Sequence, residues 1–352
     1  MKIFIVAGGT GGHVYPALSV AREFKKKSTE VIWVGRKESL EEDIAKEEGF
    51  NFITLSVSGF LGKQIGGKIK AIFELCLAFI QAIFLLVKFK PDLIFSTGGY
   101  LSLPVGLAAP FLRTPLFIHE QNSVAGLSNR ILNKFSTTTF EGFPGAFKTT
   151  NKSKFVGNPI REELFKQFQN TYKINKDFNI LVLGGSQGSL QLNEIFIKAL
   201  EGSNNSQHWN IVHQAGTIEF TSLKKKYLDL SVKYEVLEYI KNIGQEYQKA
   251  DLIISRSGAM TVSEIAAFGK PAILIPLPWA TDNHQYYNAL YLKNLGGAEI
   301  VESSLDSALS LIDLISDIEQ DTERRIQMGQ NAKNAFSSSS VKEIYKFINE
   351  KI

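Results

Sequence analysis

The sequence predicts an α/β protein made of two Rossmann-like domains, each with a parallel sheet. Three observations carry this: short β-branched runs alternate with helical patterns, glycine-rich turns follow several of those runs, and the whole pattern restarts midway. In order, KIFIV at residues 2–6 precedes a helical pattern at 17–27, and residues 31–34 precede one at 40–48. The second series opens near Asn179 with NILVLGGSQGS. It continues through NIVHQ at Asn210, EVLEYI at Glu235, LIIS at Leu252 and AILIP at Ala272. Between the series, KFVGNPIREEL breaks periodicity at Gly157 and Pro159, while Arg161, Glu162 and Glu163 open a helix. The hinge is therefore expected here, giving domains 1–157 and 158–340. A final helical stretch, 341–352, either ends the second domain or returns to the first.

A chain of 352 residues exceeds the size at which single cores usually stop growing. With 44% hydrophobic and 21% charged residues it fits neither a disordered chain nor a multi-span membrane protein. The net charge of +4 is weak, and no long Lys/Arg block signals nucleic acid; an anionic substrate or lipid surface suits it better. Cys76 is the sole cysteine, so no intrachain disulfide is expected and a reducing cytoplasm fits. The opening MKIFIVAGGTGGH lacks the pattern of a signal peptide, and export is not expected.

Residues 68–90, KIKAIFELCLAFIQAIFLLVKFK, are almost continuously apolar with lysines at both ends. A helix over 71–87 would measure about 26 Å, short of the roughly 30 Å hydrocarbon core. It also carries Glu74 and Gln81, so a transmembrane span is not expected. Two readings stand: a buried core helix, or an apolar face that docks on anionic lipid.

Glycine turns follow predicted strands at residues 8–13 (GGTGGH), 96–100 (STGGY) and 184–189 (GGSQGS). Glycine lets backbone approach a phosphate, and the helix that follows aims free N–H groups at it. No GxxxxGK[ST] occurs, and 8–12 does not give G-x-G-x-x-G, which argues against P-loop and dinucleotide chemistry. In SRSGAMTVSEIAAFGKPAILIP, a helix from near Met260 is expected to put Thr261 at its start and Glu264 in its first turn. That arrangement suits a nucleoside diphosphate and its ribose; a plain Thr261/Glu264 capping box is the duller alternative. PLPWATDNHQYYNA clusters Asp282, Asn283, His284 and Gln285, groups that read sugar hydroxyls or cap a helix. FIHEQNSVAG is expected to place His119, Glu120, Gln121 and Asn122 just beyond a strand. His13, beside the first turn, is a candidate general base or a simple helix cap. No Asp-x-Asp pair or HExxH is found, so no metal or other cofactor is signalled, and nothing suggests a covalent Ser or Cys nucleophile.

Together the ordered segments GGTGGHVYPALSVA, STGGYLSLPVGLAA, HEQNSVAGLSN, GNPIREE, GGSQGS, RSGAMTVSEIAAFGKPAILIP and ATDNHQYYNA resemble the MurG family, glycosyltransferase family 28, along nearly the whole chain. That resemblance implies a GT-B fold and inverting, metal-independent transfer of N-acetylglucosamine from UDP-GlcNAc. The implied acceptor is undecaprenyl-pyrophosphoryl-N-acetylmuramyl-pentapeptide (lipid I), and the product is lipid II. It implies peripheral attachment to the cytoplasmic face of the bacterial inner membrane through residues 68–90. It also implies substrate contacts from Thr10, Gly11, Gly12, Asn122, Arg161, Ser186, Ile240, Ala259, Met260, Thr261, Val262, Ser263, Glu264 and Gln285. Among these, Glu264 is expected on ribose, Ser186 and the helix after Ala259 on the diphosphate, and Gln285 on the sugar. His13 is the expected base. His284 departs from the glutamine of some members, which leaves the sugar contacts there open. A different GT-B glycolipid glycosyltransferase or a UDP-GlcNAc 2-epimerase would share the donor loops.

Overall fold

The computed structural model describes residues 1–56, 65–147, 151–165, 177–185, 188–203 and 206–352, with side chains of the long helix described from residue 73 onward. It divides into two compact units, residues 1–161 with 339–352, and residues 162–338. The division falls at Arg161, past the expected hinge at 157.

Unit 1 runs β1 (Lys2–Val6), α1 (Gly11–Lys26), β2 (Glu30–Gly35), α2 (Leu40–Glu47), β3 (Asn51–Thr54), α3 (Ile65–Phe89), β4 (Leu93–Ser96), α4 (Ser102–Ala108), β5 (Leu116–Glu120), α5 (Leu127–Leu132), β6 (Thr138–Glu141) and β7 (Ser153–Phe155). These strands form one parallel sheet in the order β3-β2-β1-β4-β5-β6-β7. β1 pairs Val6 with Val34 of β2 on one side and with Ser96 of β4 on the other. Ile3, Phe4, Ile5 and Val6 are all buried, as expected of a central strand covered by helices on both faces.

α1 starts at Gly11, earlier than the apolar pattern predicts, because two glycines and Pro16 disguise its first turns. Pro16 sits inside the helix and supplies no N–H to the preceding turn. Val14, Ala17, Leu18 and Ala21 form its buried stripe.

Unit 2 runs β8 (Phe178–Leu183), α6 (Leu190–Glu201), β9 (Trp209–Gln214), α7 (Phe220–Tyr227), β10 (Lys233–Leu237), α8 (Ile243–Lys249), β11 (Leu252–Ser255), α9 (Ala259–Phe268), β12 (Ala272–Leu274), α10 (His284–Asn294), β13 (Ala298–Ile300), α11 (Ala308–Gln320) and α12 (Thr322–Asn334). Its parallel sheet has the order β10-β9-β8-β11-β12-β13. α6 shows why helices cover this sheet: Leu192, Ile195, Phe196, Ala199 and Leu200 recur at helical spacing and are all buried in the core.

The final helix, α13 (Ser340–Lys351), belongs to unit 1. Ile344 and Ile348 are fully buried there, and Tyr345 meets Phe24 edge-on with ring centroids 5.0 Å apart. Burying such side chains contributes roughly 1.5–3 kcal/mol each, which secures a return that local pattern leaves undecided.

The apolar segment 68–90 falls in α3, which has a buried face and an exposed one. Ala78, Ala82, Leu85 and Leu86 are buried in the sheet-facing core, while Phe73, Leu77, Ile80, Phe84 and Val87 form an exposed stripe at spacings of four and three. Gln81 ties the helix to β3, donating to Thr54 O at 3.0 Å and accepting from Ser56 N at 3.3 Å. Among the described residues no helix is long and apolar enough to cross a membrane. The side chains of 68–72 lie outside the described ones.

Candidate active site

Each sheet reverses strand order once, between β1 and β4 in unit 1 and between β8 and β11 in unit 2. Loops leaving neighbouring strands diverge there and open a crevice at the strands' C-terminal ends. The glycine turns occupy these places.

In unit 1 two turns touch. A Cβ built on Gly99 would lie 3.1 Å from the Gly8 carbonyl oxygen, and Gly99 has φ +82, so this approach requires glycine. Thr10 is the extended N-cap of α1 and makes no side-chain cap bond, while His13 N and Val14 N both donate to its carbonyl. The N–H groups of Gly11 and Gly12 precede any intrahelical acceptor and carry the positive end of the dipole.

His13 stands at the same junction. Its Nδ1 is 2.9 Å from the Thr97 carbonyl oxygen and 2.8 Å from Gln121 Oε1. Gln121 Nε2 donates to His119 O at 2.9 Å and faces His119 Nδ1 at 3.0 Å, which turns Oε1 toward His13. Both neighbours of His13 Nδ1 accept, so that nitrogen carries the hydrogen. Nε2, which in the neutral imidazole then bears the lone pair, has no partner among the described residues. This is the tautomer a general base needs. His119 completes the chain: its Nε2 donates to Gly157 O at 3.1 Å, and full burial pushes its pKa down to about 4, so it stays neutral.

The HEQN residues therefore differ from the expected row of crevice groups. His119 and Glu120 are inside β5 and buried, since the strand runs further than predicted. Glu120 accepts four bonds, from Asn122 N (2.9 Å), Asn122 Nδ2 (3.1 Å), Gly126 N (3.0 Å) and Asn129 Nδ2 (2.9 Å). It shapes the loop that presents Asn122. Arg161 Cζ lies over the Tyr15 ring of α1, 4.0 Å from its centroid.

In unit 2, Gly185 and Gly188 take φ +90 and +81, and a Cβ on Gly188 would meet Ala215 O at 2.2 Å. Ser186 lies outside the described residues. α9 begins at Ala259 after Gly258, with no side-chain cap, so the capping-box alternative fails and the first N–H groups stay open to an anion. Glu264 is not in the first turn as predicted. It stands one turn further along, because the helix starts at Ala259, where Tyr247 Oη donates to its Oε2 at 2.9 Å. Thr261 and Ser263 are half-buried, and Met260 and Val262 share this turn. Ile240 N donates to Gln214 Oε1 at 3.0 Å, and Gln214 Nε2 donates to Gly185 O at 2.8 Å, linking that residue to the glycine turn. Gln285 Oε1 accepts from Leu277 N at 3.0 Å, after two left-handed residues, Asp282 and Asn283.

Sequence reasoning missed Arg256. Its Nε donates to Ser189 Oγ at 2.8 Å. Its Nη1 donates to Ile275 O at 2.9 Å and Ser303 Oγ at 2.8 Å, and its Nη2 to Gln191 Oε1 at 3.4 Å. Burial lowers its pKa to about 10, so it remains a cation at neutral pH, and no carboxylate touches it among the described residues. This uncompensated charge sits two residues before the N-cap of α9 and touches the N-cap of α6. The signal was its place within RSGA, but a surface arginine reads identically in sequence.

A cavity of about 730 Å³ opens elsewhere in unit 2, among Phe178, Phe268, Lys270, Pro271 and Arg325. It lies at the N-terminal ends of β8, β11 and β12, the edge opposite the glycine turns, and none of the predicted site residues lines it.

Comparison with known proteins follows the same division. The glycosyltransferase family 28 N-terminal domain matches residues 3–141 and its C-terminal domain matches residues 179–344. A Coxiella burnetii (strain RSA 493 / Nine Mile phase I) protein, UDP-N-acetylglucosamine--N-acetylmuramyl-(pentapeptide) pyrophosphoryl-undecaprenol N-acetylglucosamine transferase, is 37% identical over 346 residues, covering 97% of this chain and 96% of that one. The protein of the same name from Ectopseudomonas mendocina (strain ymp) is 38% identical over 332 residues, 94% of this chain and 93% of its own. The crystal structure of Acinetobacter baumannii MurG superposes with a TM-score of 0.84 at 29% identity, covering 99% of both chains. UDP-GlcNAc 2-epimerase from Neisseria meningitidis superposes at 0.71 with 15% identity, covering 99% of this chain and 100% of its own, a likeness of fold alone.

Proposed function

The chain belongs to glycosyltransferase family 28, and from that premise we propose that it transfers N-acetylglucosamine from UDP-GlcNAc, with inversion, to lipid I. The acceptor atom is the 4-hydroxyl of the N-acetylmuramyl group, and the products are lipid II and UDP. The observation that carries this reading is His13, held through Nδ1 with Nε2 open beside two glycine turns.

In this reading the glycine turns of unit 1 hold the acceptor diphosphate and His13 Nε2 takes the hydroxyl proton. The oxygen forms its bond to the anomeric carbon as the bond to the donor diphosphate breaks. The departing electron pair goes to UDP, which the open N-terminus of α9 and the charge of Arg256 stabilise without a proton. Glu264, oriented by Tyr247, accepts from ribose hydroxyls, and Gln285 addresses the sugar. Thr10, Gly11, Gly12, Asn122, Arg161, Ser186 and Ile240 complete the substrate contacts.

The test is transfer of labelled N-acetylglucosamine from UDP-GlcNAc to purified lipid I in detergent micelles, with chelator present. Lipid II formation and UDP release that both require acceptor are expected. Release of UDP without acceptor, or epimerisation of the donor, would contradict the assignment.

We further propose that the enzyme works on the cytoplasmic face of the inner membrane as a peripheral protein. Support comes from the exposed α3 stripe, joined by Phe111 at 73% exposure and by Lys88, Lys90 and Arg113. Co-sedimentation with phosphatidylglycerol vesicles is expected, and Phe84→Glu is expected to weaken it about tenfold or more. Undiminished binding by that variant would remove the stripe from the account.

A further inference from the structure

The acceptor turns of unit 1 consist of glycines, a threonine and a histidine, yet a diphosphate carries charge that backbone N–H groups meet only in part. The cation nearest in strand order is Arg36. β2 pairs in parallel with β1 up to Val34 opposite Val6, so the chain leaving β2 at Gly35 runs beside the residues entering the first turn. Trp33 Nε1 locks that register by donating to Ala7 O at 3.1 Å.

Beneath the turn lies a carboxylate that the mechanism does not use. Glu41 is 1% exposed, and its Oε1 would be 2.5 Å from a Cβ on Gly8, so side chain and turn are in direct contact. Oε1 accepts from Arg36 N at 3.2 Å and lies 4.0 Å from Arg36 Nε, while Oε2 is buried without a partner. The Arg36 side chain rises past this carboxylate, with Cζ 5.7 Å from the centroid of the Tyr100 ring. Tyr100 closes the second turn, and its Cε1 would be 3.8 Å from a Cβ on Gly9. The Arg36 side chain is 45% exposed, and its guanidinium makes no hydrogen bond among the described residues.

A buried carboxylate thus holds the root of an arginine whose five donors remain unspent, where the two glycine turns meet. We propose that Arg36 binds the acceptor diphosphate directly, with Glu41 as the positioning residue that fixes its backbone and holds the guanidinium by charge. The inference rests on the reading of these turns as the acceptor diphosphate seat. A planar guanidinium meets two phosphate oxygens at once, which the turn N–H groups cannot do from below. Arg256, its counterpart in unit 2, is buried with its donors engaged by protein; Arg36 is half-exposed with its donors open, as ligand contact requires.

The experiment is steady-state transfer by the full chain carrying Arg36→Ala, Arg36→Lys or Gly99→Ala, with acceptor and UDP-GlcNAc varied in turn and inorganic pyrophosphate as inhibitor against acceptor. Thermal melting checks that each variant folds. Arg36→Ala is expected to raise acceptor KM about 10- to 100-fold, the scale of a lost hydrogen bond to a charged group. It should raise the pyrophosphate inhibition constant by the same factor, while KM for UDP-GlcNAc stays within about twofold; Arg36→Lys should restore part of both. Gly99→Ala tests the seat itself, since its Cβ closes on Gly8 O. If Gly99→Ala weakens acceptor and pyrophosphate while Arg36→Ala changes neither, the seat stands and Arg36 is overturned. If neither variant affects them, the seat reading fails and takes the proposal with it.

Discussion

At the switch point of the first sheet, the turns stand beside an imidazole whose Nε2 is open; at that of the second, they stand over a guanidinium whose donors are met by neutral oxygens. Both units use glycine turns and an N-terminus without a side-chain cap at α1 or α9, so backbone alone does not separate their tasks. The side chains do. In the proposed reading the first unit takes up a proton and the second stabilises a charge that leaves with no proton supplied.

Breaking the first arrangement has the largest expected effect. His13→Ala should lower kcat about 10²- to 10⁴-fold in the lipid I assay with both KM values little changed, as loss of a general base does. Next comes the second unit. Arg256→Met should reduce kcat/KM for UDP-GlcNAc about 100-fold, comparable to losing one preorganised stabilising group, and should lower the melting temperature because Ser189, Gln191 and Ser303 lose their donor. Arg256→Lys keeps the charge but not the fork, and should fall between the two.

A smaller effect sharpens the role of orientation. Gln121→Leu leaves His13 Nδ1 only the Thr97 carbonyl, and kcat is expected to drop about tenfold while the donor KM is unchanged. An effect on donor KM instead would assign Gln121 to binding.

A separate effect falls on stability rather than on rate. Burial holds the folded pKa of His213 at about 3 and of His119 at about 4, below the ordinary value of 6.5. The unfolded chain therefore binds more protons between those values, and the stability present above pH 6.5 is lost as pH falls toward 4 in unit 1 and 3 in unit 2. Urea unfolding followed across pH 4–7 should show a decline, up to roughly 1 kcal/mol per pH unit for each group. His213, held by Tyr227 Oη and Asn193 Oδ1, has no place in the chemistry, so a His213 substitution should flatten the unit 2 decline and leave transfer at neutral pH intact.

The sequence made the sheets and the turns readable because both depend on local pattern: β-branched runs, glycine where backbone must come close, helices after them. It left α13 undecided, since Ile344 and Ile348 are settled by a core built from residues between Ile3 and Val156. Periodicity placed Glu264 in the first turn of α9, and the actual start at Ala259 moved it along. Arg256 and the relay from His119 through Gln121 to His13 were hidden for a different reason. Each depends on hydrogen bonds across the fold, and residue type alone does not tell an engaged arginine or a neutral histidine from a solvated one.

The division of labour is tested most directly by the rate of lipid I transfer in wild type, His13→Ala and Arg256→Lys, each with and without added imidazole. Imidazole is expected to restore part of the rate lost in His13→Ala and to leave Arg256→Lys unchanged. A His13→Ala variant that transfers at the wild-type rate would show that the proton goes elsewhere and would contradict the account.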